Sequence, residues 1–81
     1  MKTPRFHIAN LYKHDVDVDE AYEALVDGWR RRRRHGDYYE VLGRTAVGRY
    51  LHLVVDEEQD TLWVFHGRSM EDGEKRRYHR K

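Results

Sequence analysis

The sequence predicts a single α+β domain over residues 1–81, with N-terminal helices, a four-stranded antiparallel sheet and a C-terminal helix. Two observations lead to this class. Apolar residues recur at helical spacing before Gly28, whereas after it short apolar runs are separated by polar turns, as in strands. Because these turns are short, neighbouring strands are expected to run antiparallel.

Two helices are expected before Gly28, because each has a start signal. Thr3 is a good N-cap residue, and Pro4 suits the first helical position, where its missing N–H leaves no bond unmade. Asp17 and Glu20 have the spacing of a capping box. Gly28 then supplies the residue type that commonly follows the end of a helix.

The strands and the last helix are predicted from turn and capping signals in the same way. A glycine follows His35, an acidic stretch lies at residues 57–60, and Ser69-Met70-Glu71-Asp72 has the pattern of a capped helix start. The predicted boundaries are helices over residues 4–13 and 18–27, strands over 29–34, 38–44, 48–56 and 61–67, and a terminal helix through Tyr78.

The composition describes a small protein with little apolar surface to spare. Hydrophobic and charged residues each make up 38% of the chain, and the mean hydropathy is −1.08. The aromatic content of 12% supplies large side chains to bury, which argues against disorder. With no cysteine, disulfides and thiolate metal sites are excluded. No apolar run approaches the roughly 20 residues of a membrane span, and no secretory signal is visible, so a cytoplasmic location is expected.

Charge is unevenly distributed along the chain although the net charge is only +1. Residues 28–55 are basic and residues 56–73 are acidic, and most of the basic residues are arginines. Arginine grips phosphate or carboxylate with two parallel hydrogen bonds. The pattern therefore favours a polyanion or an acidic protein as partner, while a solvated surface of salt bridges remains the alternative.

The expected strand pairing brings three arginines together. If both hairpin turns contain an even number of residues, Arg44 lies opposite Arg49, Arg49 lies opposite Arg68, and His66 lies beside them. Facing like charges are destabilising, so such a row indicates a bound anion or neutralising carboxylates such as Glu40 or Glu74. A slip of one residue would move a strand's side chains to the other face.

Three pieces of the sequence carry a resemblance to a known family. They are Lys13-His14 before the acidic helix, Leu42-Gly43-Arg44-Thr45 with Gly48-Arg49, and Arg68, Glu74 and Tyr78 near the end. In this order and at this length, the chain resembles BrnT-type toxins of type II toxin–antitoxin systems, a branch of the RelE-like superfamily. It departs from the family's closing motif at Glu71 and Lys75.

The resemblance implies a cytoplasmic endoribonuclease that cleaves RNA without a metal or cofactor. A ribbon-helix-helix antitoxin would hold it inactive and make the contacts to operator DNA. Such cleavage needs an acid, a base and cations near the phosphate. The candidate residues are His14, His66, Arg49 and Arg68 for catalysis, Lys13, Arg44, Arg32, Arg34 and Tyr78 for RNA or phosphate binding, and Thr45 and Glu74 in support.

A structural alternative accompanies each of these assignments. Each histidine could be a packing residue, Tyr78 could anchor the last helix, and the arginines of residues 30–34 could keep an edge strand from aggregating. The second candidate function is a non-catalytic module that binds nucleic acid or a regulator on the same fold.

Overall fold

The computed structural model describes residues 1–80 and confirms an α+β fold. These residues form one five-stranded sheet and three α-helices. The strands are β1 (Thr3–Phe6), β2 (Arg33–His35), β3 (Tyr38–Arg44), β4 (Tyr50–Glu57) and β5 (Thr61–Ser69), and the helices are α1 (Ile8–Tyr12), α2 (Val18–Gly28) and α3 (Asp72–His79). The strand order is β1-β5-β4-β3-β2, and the sheet is mixed because β1 runs parallel to β5.

The prediction of a helix over residues 4–13 and of only four strands is wrong at β1. Thr3 pairs with Thr61 and Phe6 pairs with Val64, and only the five residues of α1 are helical. The alternating exposure of Thr3–Phe6 has the period of a strand rather than of a helix. Pro4 is tolerated in β1 because this strand lies at the edge of the sheet.

The predicted strand over residues 29–34 is also wrong in its first half. Gly28 keeps a right-handed helical conformation, so the chain continues from α2 into a 3₁₀ turn over Trp29–Arg31. Only Arg33–His35 pairs with β3. The other predicted strands and the helix after Asp17 are confirmed within a few residues, and Asp17 and Glu20 form both bonds of the capping box.

Helix α2 lies against β3 with almost no side chain between the two backbones. A Cβ atom on Gly28 would overlap the carbonyl oxygen of Leu42, and one on Gly43 would overlap the carbonyl oxygen of Ala24. Glycine is therefore needed at both positions by close approach. The fully buried core lies on this α2 face of the sheet and includes Leu11, Leu25, Val41, Leu51, Leu53, Val55, Leu62 and Val64.

The hairpin between β3 and β4 has an odd number of turn residues, which overturns the predicted register. Arg44 pairs with Tyr50 rather than with Arg49. Thr45 closes the turn, because its backbone N–H donates to the Arg49 carbonyl at 2.8 Å and its Oγ1 accepts from the Arg49 N–H at 3.0 Å. Gly48 supplies a positive φ of 92°.

The second hairpin is shifted in the same sense. Arg68 pairs with His52 and His66 pairs with Val54, with a bulge after Val54. Arg68 and His52 therefore point to the side of the sheet that α3 covers, which we call the α3 face. Arg49 lies outside β4, and its side chain contacts Glu20 of α2 and the Asp15 carbonyl instead. The predicted row of three arginines does not form.

The close contact of α2 with β3 predicts the effect of adding one methyl group. Gly43→Ala should lower the free energy of unfolding by about 2–4 kcal/mol, because backbone atoms must move to admit the Cβ. Urea denaturation measures this value. Gly73→Ala is the matched control: its Cβ would meet nothing closer than an Arg76 side-chain nitrogen at 3.7 Å, so it should stabilise α3 by up to about 1 kcal/mol. Equal effects at both positions would contradict the packing argument.

Candidate active site

Two of the predicted catalytic residues meet beside β5. His14 lies in the turn between α1 and α2, and His66 lies on β5. Their ring centroids are 4.9 Å apart with the planes at 73°. Helix α1 is attached to this strand, since the Asn10 side chain donates to the Phe65 carbonyl at 3.0 Å. His14 is exposed and His66 is partly exposed, so a solvent-borne ligand can reach both rings.

The surroundings of His66 favour its neutral form. Burial lowers the pKa of His66 below its ordinary value, and the positive charges of His14, His52 and Arg68 lower it further. A neutral imidazole can accept a proton, which is the property that a general base needs.

Arg68 lies on the α3 face and grips Glu74 with two hydrogen bonds of 2.8 Å each. This bond to Arg68 is the main reason that the pKa of Glu74 falls to about 2, and the same contact raises the pKa of Arg68. The carboxylate takes the bidentate position on the guanidinium that a phosphate would also prefer. Arg68 is thus both fixed in place and partly neutralised.

A buried charge network continues from Glu74 beneath α3. His52 is 8% exposed, and its Nε2 lies 2.9 Å from Glu40 Oε2 and 3.7 Å from Glu74 Oε2. Arg77 pairs with the other Glu40 oxygen at 2.8 Å. Burial alone would raise the pKa of Glu40, but its hydrogen bonds to Arg77 and His52 leave this pKa lowered. Within residues 1–80, the buried Nδ1 of His52 has no hydrogen-bond partner.

His52 and Arg77 were not among the predicted site residues, and Glu40 was expected only as a carboxylate that could neutralise the arginine row. These residues belong to three different elements, and the predicted register placed His52 on the opposite side of the sheet from Arg68. Donor atoms of Glu40, His52 and Glu74 lie within 4.8 Å of one another and have the chemistry of metal ligands. The arginines already neutralise both carboxylates, however, which makes this donor set a poor cation site.

Arg49 acts on the segment that carries His14. Its guanidinium pairs with Glu20 at 3.0 Å, donates to the Asp15 carbonyl and lies 3.4 Å from both the His14 carbonyl and Ser69 Oγ. Asp15 has a left-handed φ of 58°, so the turn that presents His14 is a tight one. Arg49 therefore holds this turn against the sheet.

The remaining predicted residues divide among several places. Lys13 is exposed next to His14, and Thr45 is buried in the hairpin turn. The guanidinium carbons of Arg32 and Arg34 lie 5.4 and 5.5 Å from the centre of the Tyr39 ring.

Arg44 and Tyr78 meet elsewhere, in a groove at the C-terminal ends of α2 and α3. The structure therefore separates one histidine pair from one arginine groove.

Comparison with known proteins adds no assignment. No protein-family model and no curated protein matches the chain. In the part of the chain that the structure describes, no helix is both long enough and apolar enough to cross a membrane.

The Arg68–Glu74 pair predicts how stability depends on pH. The pKa of Glu74 is about 2 in the fold against an ordinary 4.5, so the ionised carboxylate stabilises the fold above pH 4.5. This contribution is lost as the pH falls from 4.5 towards 2. Glu74→Gln should destabilise the protein by about 1–3 kcal/mol at pH 7 and flatten the acid side of the stability curve.

Chemical denaturation at a series of pH values measures this effect. Glu58→Gln removes an exposed carboxylate in a turn and should leave the curve close to that of the wild type. If Glu74→Gln and the wild type lose stability in parallel below pH 4.5, the pair does not control the acid response.

Proposed function

We propose that this chain is an endoribonuclease toxin that cleaves RNA without a metal, in a type II toxin–antitoxin system. The observation that carries the proposal is the contact of His14 with His66, two imidazoles within 4.9 Å on a surface that solvent reaches. A pair of imidazoles supplies both proton transfers that the cleavage of a ribose phosphodiester requires.

The proposed reaction is an internal transfer on the RNA. His66, whose pKa is lowered, removes the proton from a ribose 2′-hydroxyl, and the 2′-oxygen attacks the adjacent phosphorus. His14 gives a proton to the departing 5′-oxygen. The products are a 2′,3′-cyclic phosphate and a 5′-hydroxyl. His14 is exposed in a turn, so its side chain can rotate to admit the phosphate between the two rings.

Arg68 is the proposed cation of this site, since its charge acts on His66. Positive charge stabilises the additional negative charge on the phosphate in the transition state. Arg49 is a positioning residue in this proposal, because it contacts the backbone of the turn that presents His14. Lys13, exposed beside His14, is a further candidate for contact with the RNA backbone.

The wider assignment follows from the resemblance to BrnT-type toxins. It comprises a RelE-like fold, a cytoplasmic location, neutralisation by a ribbon-helix-helix antitoxin, and contact with operator DNA through that antitoxin alone. The α+β architecture with a C-terminal helix over the sheet is compatible with it.

A non-catalytic module that binds nucleic acid or a regulator is the second candidate, and one observation favours it over an enzyme that uses these arginines on a phosphate. Arg49 and Arg68 are both paired with carboxylates, Glu20 and Glu74. Neither guanidinium is therefore fully available to a phosphate.

Cleavage assays with histidine variants test the enzyme directly. Purified wild type should cut RNA in the presence of EDTA and leave 2′,3′-cyclic phosphate ends. His14→Ala and His66→Ala should each lower the rate by about 10²–10⁴-fold, since each removes one proton transfer. His35→Ala changes an exposed histidine of β2 and should retain full activity. An inactive wild type would refute the enzyme, and active His14 and His66 variants would refute the site.

The pH profile of cleavage tests the role of Arg68. Because the pKa of His66 is lowered, the acid limb of kcat/KM should lie below pH 6.5, the ordinary histidine value. Arg68→Gln removes one of the charges that lower this pKa, so the limb should move to higher pH. Arg68→Lys keeps the charge and should leave the limb in place. A limb that stays fixed in Arg68→Gln would show that Arg68 does not act on the base.

A further inference from the structure

A groove between the C-terminal ends of α2 and α3 combines positive charge with aromatic rings. We call it the Tyr78 groove. It has a volume of about 740 Å³ and is lined by Asp27, Arg30, Arg31, Arg44, Tyr50, Tyr78 and His79. Tyr78 also lines two smaller grooves, so the concave surface around it extends beyond the Tyr78 groove.

The positive charge of the Tyr78 groove is only partly balanced by protein groups. Asp27 Oδ2 accepts from the Tyr78 hydroxyl at 2.6 Å and from the Arg44 backbone N–H at 2.8 Å, and it lies 3.9 Å from Arg31. Within residues 1–80, the guanidinium groups of Arg30 and Arg44 make no ion pair. This surface therefore has the charge to attract an anionic ligand.

The aromatic rings narrow the class of anion. The Tyr78 ring lies 5.6 Å from Tyr50 and 5.2 Å from His79, both edge to face. The Arg31 guanidinium lies 5.0 Å from the centre of the Tyr78 ring. Grooves that alternate basic side chains with aromatic rings bind single-stranded nucleic acids, because phosphates meet the cations while unpaired bases stack on the rings.

The groove is connected to the candidate active site through α3. Tyr78 lies one helical turn after Glu74, and Glu74 holds Arg68, which follows His66 by two residues on the same face of β5. An RNA strand with one phosphate at Arg68 can therefore continue along α3 towards Tyr78.

We infer that the Tyr78 groove binds the single-stranded RNA that flanks the cleaved phosphate. The identity of the ligand as RNA rests on the proposed function. The preference for a single strand rests on the groove itself, because the bases of a duplex are already stacked on one another and cannot use the rings.

Neighbouring arginines of the same run provide a charge-matched control. Arg31 lines the groove, whereas Arg32 folds away onto Trp29 at 4.2 Å. Replacing either one by glutamine removes one positive charge at nearly the same point in the sequence. General attraction would weaken equally in both variants, whereas a site in the groove would distinguish them.

Fluorescence anisotropy with a labelled single-stranded oligouridylate tests the inference, in a His66→Ala background that keeps the RNA intact. Arg31→Gln and Arg44→Gln should each reduce the slope of log affinity against log salt by about 0.7, the value of one single-strand phosphate contact. Arg32→Gln should leave the slope unchanged. Tyr78→Leu should weaken binding about 5-fold to 100-fold through lost stacking, whereas Tyr78→Phe should keep most of it.

Any of three results would contradict the inference that the Tyr78 groove binds single-stranded RNA. They are no binding of the oligonucleotide, equal effects of Arg31→Gln and Arg32→Gln, and duplex RNA bound as tightly as the single strand. The cleavage assay separates this failure from that of the enzyme. If the wild type cleaves RNA but Arg31→Gln and Arg32→Gln bind it equally well, the groove is not an RNA site and the proposed ribonuclease activity stands. If the variants bind RNA as expected but the wild type cleaves none, the groove is an RNA site and the proposed ribonuclease activity is refuted.

Discussion

The closure of the hairpin turn by Thr45 is the contact on which the arrangement of charge depends. Its two hydrogen bonds to the Arg49 backbone fix a turn of odd length, so Arg44 faces Tyr50. With an even turn, Arg49 would continue β4 and point with its neighbours across the sheet. In the folded chain it is free to hold the turn that presents His14. One short turn thus separates Arg49, which contacts the turn before α2, from Arg68 on the α3 face.

Helix α3 is attached mainly by polar contacts. None of its residues is fully buried, and its links to the rest of the chain include Glu74 with Arg68, Arg77 with Glu40, and Tyr78 with Asp27. Such contacts weaken with salt and with acid more than apolar packing does. The core on the α2 face carries the stability of the fold, while the α3 face carries its ionisable chemistry.

The sequence predicted the elements that have local sequence signals and missed those that depend on pairing with residues far along the chain. The capping box at Asp17 and the apolar runs of β3 to β5 are local signals, and both were right. The start signal at Thr3 was misleading, because pairing with β5 outweighed it. The prediction of the arginine row was wrong because the turn has an odd rather than an even number of residues. One extra turn residue moves every later side chain of the strand to the opposite face of the sheet. His14 came from the resemblance and His66 from the expected strand pairing, whose register was wrong, so only the fold brings the two rings together.

The run of arginines shows why a charge count cannot decide between a binding surface and a structural one. Arg32 and Arg34 cover aromatic rings, while Arg31 and Arg33 line concave surface near Tyr78. Members of the same run therefore have different surroundings, and the number of charges does not show which of them is available to a ligand. Arg68 combines both possibilities in a single side chain. The two guanidinium N–H groups that could bind a phosphate already donate to Glu74. The proposed catalysis would require the phosphate to share Arg68 with Glu74, so the strength of that one pair would limit how much charge stabilisation the transition state could receive.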